Sequence, residues 1–334
     1  TILTMLFTAF ILTANGQKGL FDSMWESNDS IPFVWDGGIY LPATIDNKYP
    51  ANILFTTNAN RQLVVDTTYL KEQCWQPPKI EKANIKREKD TLRLKTSYTK
   101  HDVKFGNTTA NFPYMLISDI RNVLGKHADG IMWDTFFEYS PFEVNFQQKF
   151  LRTLTAIPDS VKRNYRCLPL TVRDSKFMIE AYVWLNNKRI GGLYQLWLGG
   201  NDDIFFTSNT VKRHNLMAYK GKTRQLLAQY TNIGDTTTTT TTFALADSVH
   251  LWLDNIGRAS VSMPMPEETS HSRMHNVGYI GAGILSNYNL VFDPAHNKLY
   301  CRPYKAHTPE KRTWGFSWIN RTDIGKGWIV RSIY

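Results

Sequence analysis

The sequence predicts a mostly β protein built from two copies of one unit, and three observations support this. Strand-like runs recur along the chain, whereas helix-like patterns are short. Two hairpin signals stand roughly 140 residues apart, and the residues around them recur in the same order. The composition allows a globular core, since 42% of the 334 residues are hydrophobic and 20% are charged.

Each unit contains a β-hairpin signal. Residues 39–45 and 51–55 are strand-like and flank Asp46-Asn47-Lys48; residues 177–185 and 192–197 flank Asn186-Asn187-Lys188 in the same way. Asn and Asp tolerate the positive φ angles of tight hairpin turns. Three helices are also predicted, at residues 114–124, 134–139 and 283–288.

The repeat extends beyond the hairpins. FTTNANRQLVVDTTYL, after the first, aligns without a gap on LWLGGNDDIFFTSNTV, after the second, which places Thr56 on Trp197. IPF (31–33) and LPL (168–170) precede the two hairpins, and GIMW (130–133) and GYIG (278–281) each precede a final strand. This order predicts a duplicated unit with its join near residues 153–166.

The ordered repeat and the closing run GYIGAGILSNYNLVFDPAHNKLY resemble the pepsin/retropepsin-like aspartic proteases, in particular their exported bacterial branch. The resemblance covers about residues 30–305 of this chain. It implies two pepsin-like β-barrel lobes, at residues 28–155 and 165–305, with a groove along their seam. It implies no cofactor and no metal.

In that family each lobe ends its hairpin in an Asp-Thr/Ser-Gly-Ala turn, and the two aspartates share a proton and activate water. The aspartate positions here are Thr56 and Trp197. A threonine hydroxyl does not ionise at neutral pH, and an indole only donates. The resemblance therefore implies a fold without its catalytic dyad. It also implies peptide-binding turns, at Thr57, Asn58, Ala59, Leu198, Gly199 and Gly200.

Three other acidic residues could supply a catalytic dyad in place of Thr56 and Trp197. Asp36 lies in WDGG before the first hairpin, and Asp202 and Asp203 follow Trp197 by five and six residues. If the turns are misaligned, these three carboxylates are where an active endopeptidase would have its dyad. The leading interpretation is a protein that binds peptide or an unfolded protein segment without cutting it. An active aspartic endopeptidase is the first alternative, and a structural or surface protein is the second.

Both termini carry further signals. Residues 1–16 form an apolar run followed by small residues, which predicts a signal peptide truncated at its start and an exported, periplasmic or extracellular protein. Residues 312–334 contain Gly315-Phe316-Ser317-Trp318 and resemble the opening of a PDZ domain. The alternative interpretation of residues 312–334 is a C-terminal hairpin that packs on the second lobe. No run is long enough for a membrane helix.

The remaining features predict no chemistry. The net charge is +10, but the basic stretch 79–104 alternates charged and apolar residues like a solvated strand pair, so no nucleic-acid partner is predicted. The run EETSHSRMH (267–275) is interpreted as a surface loop and the threonine tract 236–242 as an exposed insertion or edge. Three cysteines, Cys74, Cys167 and Cys301, allow at most one disulfide.

Overall fold

The computed structural model describes residues 30–57, 62–86, 91–133, 137, 139–173, 176–218, 223–232, 235–251, 254–264, 276–309 and 316–333. We call residues 30–153 the first half, residues 166–303 the second half and residues 316–333 the C-terminal hairpin. The described part of the chain is mostly β and folds into several sheets. The mostly-β prediction is confirmed.

The strands of the first half follow one another in short steps. They are β1 (Ile31–Pro32), β2 (Val34–Trp35), β3 (Ile39–Ile45), β4 (Tyr49–Phe55), β5 (Gln62–Asp66), β6 (Ile80–Lys86), β7 (Thr91–Ser97), β8 (His101–Phe105), β9 (Thr108–Phe112), β10 (Met115–Ser118), β11 (Gly130–Trp133), β12 (Phe142–Asn145) and β13 (Phe150–Thr153).

The second half and the C-terminal hairpin contribute the remaining strands. They are β14 (Arg166–Pro169), β15 (Thr171–Arg173), β16 (Lys176–Leu185), β17 (Lys188–Trp197), β18 (Ile204–Phe206), β19 (Thr223–Asn232), β20 (Asp235–Leu245), β21 (Ser248–Leu251), β22 (Asp254–Gly257), β23 (Ser260–Pro264), β24 (Gly278–Gly281), β25 (Tyr288–Asp293), β26 (Lys298–Pro303), β27 (Phe316–Arg321) and β28 (Gly327–Ile333).

The helices are short. They are α1 (Thr67–Glu72), α2 (Arg121–Leu124), α3 (Asp159–Asn164), α4 (Ser208–Arg213) and α5 (Ala282–Leu285). The matched helices α1 and α4 each begin after a side-chain cap, Asp66 and Thr207 respectively, which accepts a hydrogen bond from a free backbone N–H of the first turn. None of the described helices has the length and apolar character needed to cross a bilayer.

Both predicted hairpins form, as β3–β4 and β16–β17. Their turns place two consecutive residues at positive φ: Asp46 (51°) and Asn47 (53°) in the first, Asn186 (51°) and Asn187 (61°) in the second. Two positive φ angles give a turn whose twist matches that of the strands, and Asn and Asp adopt them at low cost. The sequence signal for these hairpins is therefore a local one.

The two large sheets contain the same five-strand path. It runs β10-β5-β11-β4-β3 in the ten-stranded sheet and β23-β18-β24-β17-β16 in the twelve-stranded sheet. In each, the strand that begins with glycine lies between the second hairpin strand, to which it is parallel, and the strand that follows the turn, to which it is antiparallel. Gly130 pairs with Ile53, and Gly278 pairs with Tyr194.

A third, six-stranded sheet takes strands from both halves, in the order β1-β13-β12-β25-β26-β14. The halves meet at its centre, where β12 and β25 run antiparallel. Phe142 is paired there with Phe292, and their rings stack with centroids 4.5 Å apart. Both side chains are fully buried. The core is thus continuous between the halves.

Residues 114–124 and the threonine tract each differ in part from their predictions. In residues 114–124, Met115–Ser118 is strand β10, paired with β5 and β7, and only Arg121–Leu124 is helical. A short buried apolar run fits either structure, and the sheet neighbours decide. The threonine tract, predicted to be an exposed insertion or edge, lies in β20 and pairs with β19 along its length. Only Thr241 and Thr242 also pair with β23, so among the described strands residues 236–240 have a neighbour on one side alone.

Other predicted features are partly described. Helix α5 ends at Leu285, so the helix predicted at 283–288 begins one residue earlier and stops before β25. Residues 134–136, 138 and 265–275 lie outside the described residues, and so do 1–29. Cys74, Cys167 and Cys301 are free thiols. The β14–β26 register pairs Cys167 with Tyr300 and Cys301 with Arg166, which places the two thiols on opposite faces of the sheet.

The C-terminal hairpin packs on the first half through buried charges. Arg321 donates to both carboxylate oxygens of Asp323, at 3.0 and 3.2 Å, and also bonds Asn122. Arg121 reaches the same carboxylate at 3.3 Å and pairs with Asp129 at 2.5 Å. Both arginines are almost fully buried. The hairpin also pairs, through β28, with β19 of the second half. It therefore contacts both halves, and a PDZ-like continuation remains a prediction.

Replacing Asp323 by asparagine should lower the free energy of unfolding by about 2 kcal/mol, since two buried guanidinium groups lose a charged acceptor. Burial raises the pKa of Asp323, but the bond and charge of Arg321, with Arg121, outweigh burial and hold the pKa below its usual value. The contribution is therefore present above the unfolded pKa of about 3.9 and is lost as pH falls through the folded pKa.

Urea unfolding of wild type and Asp323→Asn at a series of pH values measures this directly. The gap between the two proteins should be constant near neutral pH and should shrink below about pH 4. The matched control is Asp159→Asn, because Asp159 is exposed and pairs with Lys162 only at the surface, at 3.4 Å. Equal effects of the two substitutions would contradict the buried role of Asp323.

Candidate functional site

The second hairpin strand of each half ends at the same place in its sheet. Strand β4 ends at Phe55 and β17 ends at Trp197, each beside the parallel strand that begins with glycine. The Thr56 N–H continues this pairing by donating to Met132 O at 3.1 Å. The residues aligned by the sequence repeat, Thr56 and Trp197, therefore stand at matched positions in the two sheets.

Thr57 links these two strand ends. Its hydroxyl donates to Leu196 O at 2.7 Å and accepts from Leu198 N at 3.1 Å. Thr57 and Leu198 are both fully buried. A single side chain of the first half thus satisfies a backbone acceptor and a backbone donor on either side of Trp197 in the second half. We call this contact the Thr57 bridge and the place where the two strand ends meet the seam.

Gly199 brings the turns into close contact. A methyl group built on Gly199 would overlap Thr56 Oγ1, lie 2.6 Å from Thr56 Cβ and lie 3.2 Å from Trp197 Nε1. The first two atoms belong to a buried, β-branched side chain that has little room to move. The approach of Thr56 to the second turn therefore requires a residue without a side chain at position 199.

Trp197 is held by packing on its ring. The ring lies over Gly200, where an added methyl group would come within 2.7 Å of three ring atoms. Tyr279 meets the indole edge-on, with centroids 5.8 Å apart, and in turn contacts Phe205 at 5.9 Å. Burial raises the pKa of Tyr279 well above its usual value, so its phenol stays neutral. Trp197 as a residue is only partly buried.

The two turn segments supply no carboxylate, since residues 55–61 and 196–201 contain neither Asp nor Glu. The alternative acids each have their own partners. Asp36 is 69% exposed and lies 3.5 Å from His127 Nε2. Asp202 accepts from the Ser262 hydroxyl at 3.0 Å.

Asp203 lies deeper than the other two acids. It is 6% exposed and accepts from Ser260 N at 2.8 Å. His307 Nε2 lies 3.3 Å from the same carboxylate oxygen, Oδ2, without the alignment of a good hydrogen bond. The imidazole is also buried. Asp203 is thereby engaged by the Ser260 backbone of its own half and by the His307 imidazole.

The loop that carries Asp36 nevertheless approaches the second half. A methyl group built on Gly37, at φ 67°, would lie 3.6 Å from Asn201 Nδ2. This brings the Asp36 loop to the residue that precedes Asp202.

The structure thus brings together Thr56, Thr57, Trp197, Leu198, Gly199 and Gly200. Asn58 and Ala59 lie outside the described residues. Thr57 and Leu198 are fully buried, backbone included, so neither presents a surface to a ligand, whereas Gly199 is partly exposed. Sequence reasoning did not identify Tyr279 or His307. The only signal for Tyr279 is its place in the repeated GYIG segment.

The described residues contain no group of three His, Cys, Asp or Glu side chains able to hold a metal ion. No protein-family model matches the chain, and no curated protein is significantly similar to it.

The Thr57 bridge can be tested by two substitutions. Thr57→Val keeps the shape of the side chain but leaves Leu196 O and Leu198 N unpaired, which should lower the free energy of unfolding by about 2–4 kcal/mol. Thr57→Ser keeps the hydroxyl and removes one methyl group, at a cost of about 1 kcal/mol. Chemical unfolding followed by circular dichroism gives both values. If serine were as destabilising as valine, the hydroxyl would not bridge the two turns.

Proposed function

We propose that this protein is an exported, two-lobed relative of the pepsin-like aspartic proteases that has lost its catalytic dyad. Its seam binds an extended peptide, or an unfolded segment of a protein, without cutting it. Export rests on the signal-peptide character of residues 1–16 and on no structural observation.

The topology supports the family part of the proposal. The repeated path β10-β5-β11-β4-β3 and β23-β18-β24-β17-β16 is what a duplicated lobe requires. Two lobes that are joined by one shared sheet should each contribute strands to it, and the six-stranded sheet takes three strands from each half. Fold alone does not specify activity, so the functional part rests on the seam.

The Thr57 bridge is the observation that carries the proposal. In a two-lobed aspartic protease the active site exists only where the two hairpin-end turns meet. Here the turns meet, with a buried hydroxyl at the second turn position bonded to the backbone on both sides of Trp197. This is the geometry that would bring together two aspartates if the chain had them at Thr56 and Trp197.

The residues at those positions favour binding over hydrolysis. General acid–base chemistry on a peptide needs one group that accepts a proton from water and another that donates one to the carbonyl. Thr56 supplies a hydroxyl and Trp197 an N–H donor, and neither is a base near neutral pH. At an aspartate position the indole would also fill the space that an attacking water needs.

An active endopeptidase with displaced acids is the second candidate, and one contact favours it. The Gly37–Asn201 approach brings the Asp36 loop near the segment that carries Asp202 and Asp203. Against it, each carboxylate already has its own partner, and Asp36 is mostly exposed. An exposed acid beside a histidine lacks the shared proton on which the dyad mechanism depends.

The test uses reduced and carboxymethylated lactalbumin, which stays unfolded. We expect the protein to retain this probe in a pull-down, to bind native lactalbumin weakly, and to release no fragments detectable by mass spectrometry between pH 2 and 8. Fragments whose release is blocked by a statine inhibitor would overturn the loss of activity. Asp36→Asn and Asp202→Asn would then identify the acids. Equal retention of native and unfolded lactalbumin would contradict peptide binding.

A further inference from the structure

The indole N–H of Trp197 is an available donor at the seam. Nε1 lies 3.2 Å from the position of an added Gly199 methyl, on the side where Thr56 approaches. No described residue accepts a hydrogen bond from it. Trp197 as a whole residue is only partly buried, so part of its surface is open to a ligand.

Packing fixes the direction of this donor. One face of the ring lies over Gly200, and Tyr279 meets the indole edge-on. Tyr279 is 2% exposed and packs on Phe205, which is 4% exposed. A tryptophan held in this way has lost its rotational freedom before any ligand arrives, which reduces the entropic cost of binding.

The surroundings select the acceptor. The neighbours described above, Gly199, Gly200 and Tyr279, are neutral. The nearest acids along the chain, Asp202 and Asp203, would repel an anion. A carboxylate or phosphate ligand would therefore lack a counter-charge among these neighbours. A neutral carbonyl oxygen can accept from the indole without that penalty.

We propose that the Trp197 indole donates a hydrogen bond to a main-chain carbonyl of the bound peptide, at the point where a protease would polarise the scissile carbonyl. This inference rests on the proposed function, because it names the group of the peptide that the seam recognises. The contact holds the carbonyl, and the absence of a base beside it leaves the peptide intact.

The experiment follows the tryptophan indole signals in a ¹H–¹⁵N NMR spectrum of the full chain. The Trp197 signal is the one that disappears in Trp197→Phe. The probe is the blocked peptide acetyl-Ser-Val-Phe-Val-Ser-Lys-amide, in which the terminal charges are removed. On titration we expect the Trp197 N–H signal to move downfield and its exchange with water to slow, while the signal of the exposed Trp328 stays in place.

Affinities complete the test. Trp197→Phe should weaken binding of the peptide about threefold to tenfold, the usual effect of losing one neutral hydrogen bond. Trp328→Phe, the matched control on the C-terminal hairpin, should leave affinity unchanged. If the peptide binds but the Trp197 signal does not move, the inference is wrong and peptide binding stands. If only the peptide with a free C-terminal acid binds, the group that the seam recognises is a carboxylate and the inference of a carbonyl acceptor is wrong. If neither peptide nor unfolded lactalbumin binds, the proposed function itself fails.

Discussion

The Thr57 hydroxyl is the contact on which the seam depends. It is fully buried and serves as donor and acceptor at once, to backbone groups 139 and 141 residues away. A buried carbonyl or N–H without a hydrogen-bond partner lowers the free energy of unfolding by about 1–3 kcal/mol. Separating the two strand ends would leave such groups unpaired, so the bridge stabilises their register. Thr56, Gly199 and Trp197 lie next to this bridge.

Three kinds of interaction join the halves, and each has a different physical basis. The β12–β25 pairing combines backbone hydrogen bonds with the stacked rings of Phe142 and Phe292. The Thr57 bridge is a directional polar contact. The C-terminal hairpin contacts both halves, by buried ion pairs around Asp323 and by the pairing of β28 with β19. Apolar burial supplies stability, whereas the polar contacts restrict the arrangement to one geometry.

Local rules predict part of this architecture. The hairpins β3–β4 and β16–β17 follow from strand-forming runs around Asn and Asp, whose positive φ angles the structure contains. The repeat also located the positions that meet at the seam. The sequence does not predict strand β10, because a buried apolar run has no clear periodicity and the pairing partners β5 and β7 are distant in the sequence. Arg121 and Asp323 are 202 residues apart in the sequence, so no local pattern predicts their contact.

The central claim is that Thr56 and Trp197 occupy the positions of a lost aspartate dyad. The most direct measurement is the titration of a restored pair, in the variant Thr56→Asp, Trp197→Asp, Asn58→Gly, by NMR of the two new carboxyl carbons. If the positions face each other across the seam, the carboxylates share a proton, and one of them titrates well above the ordinary value of about 3.9. Two independent titrations near 3.9 would contradict the account.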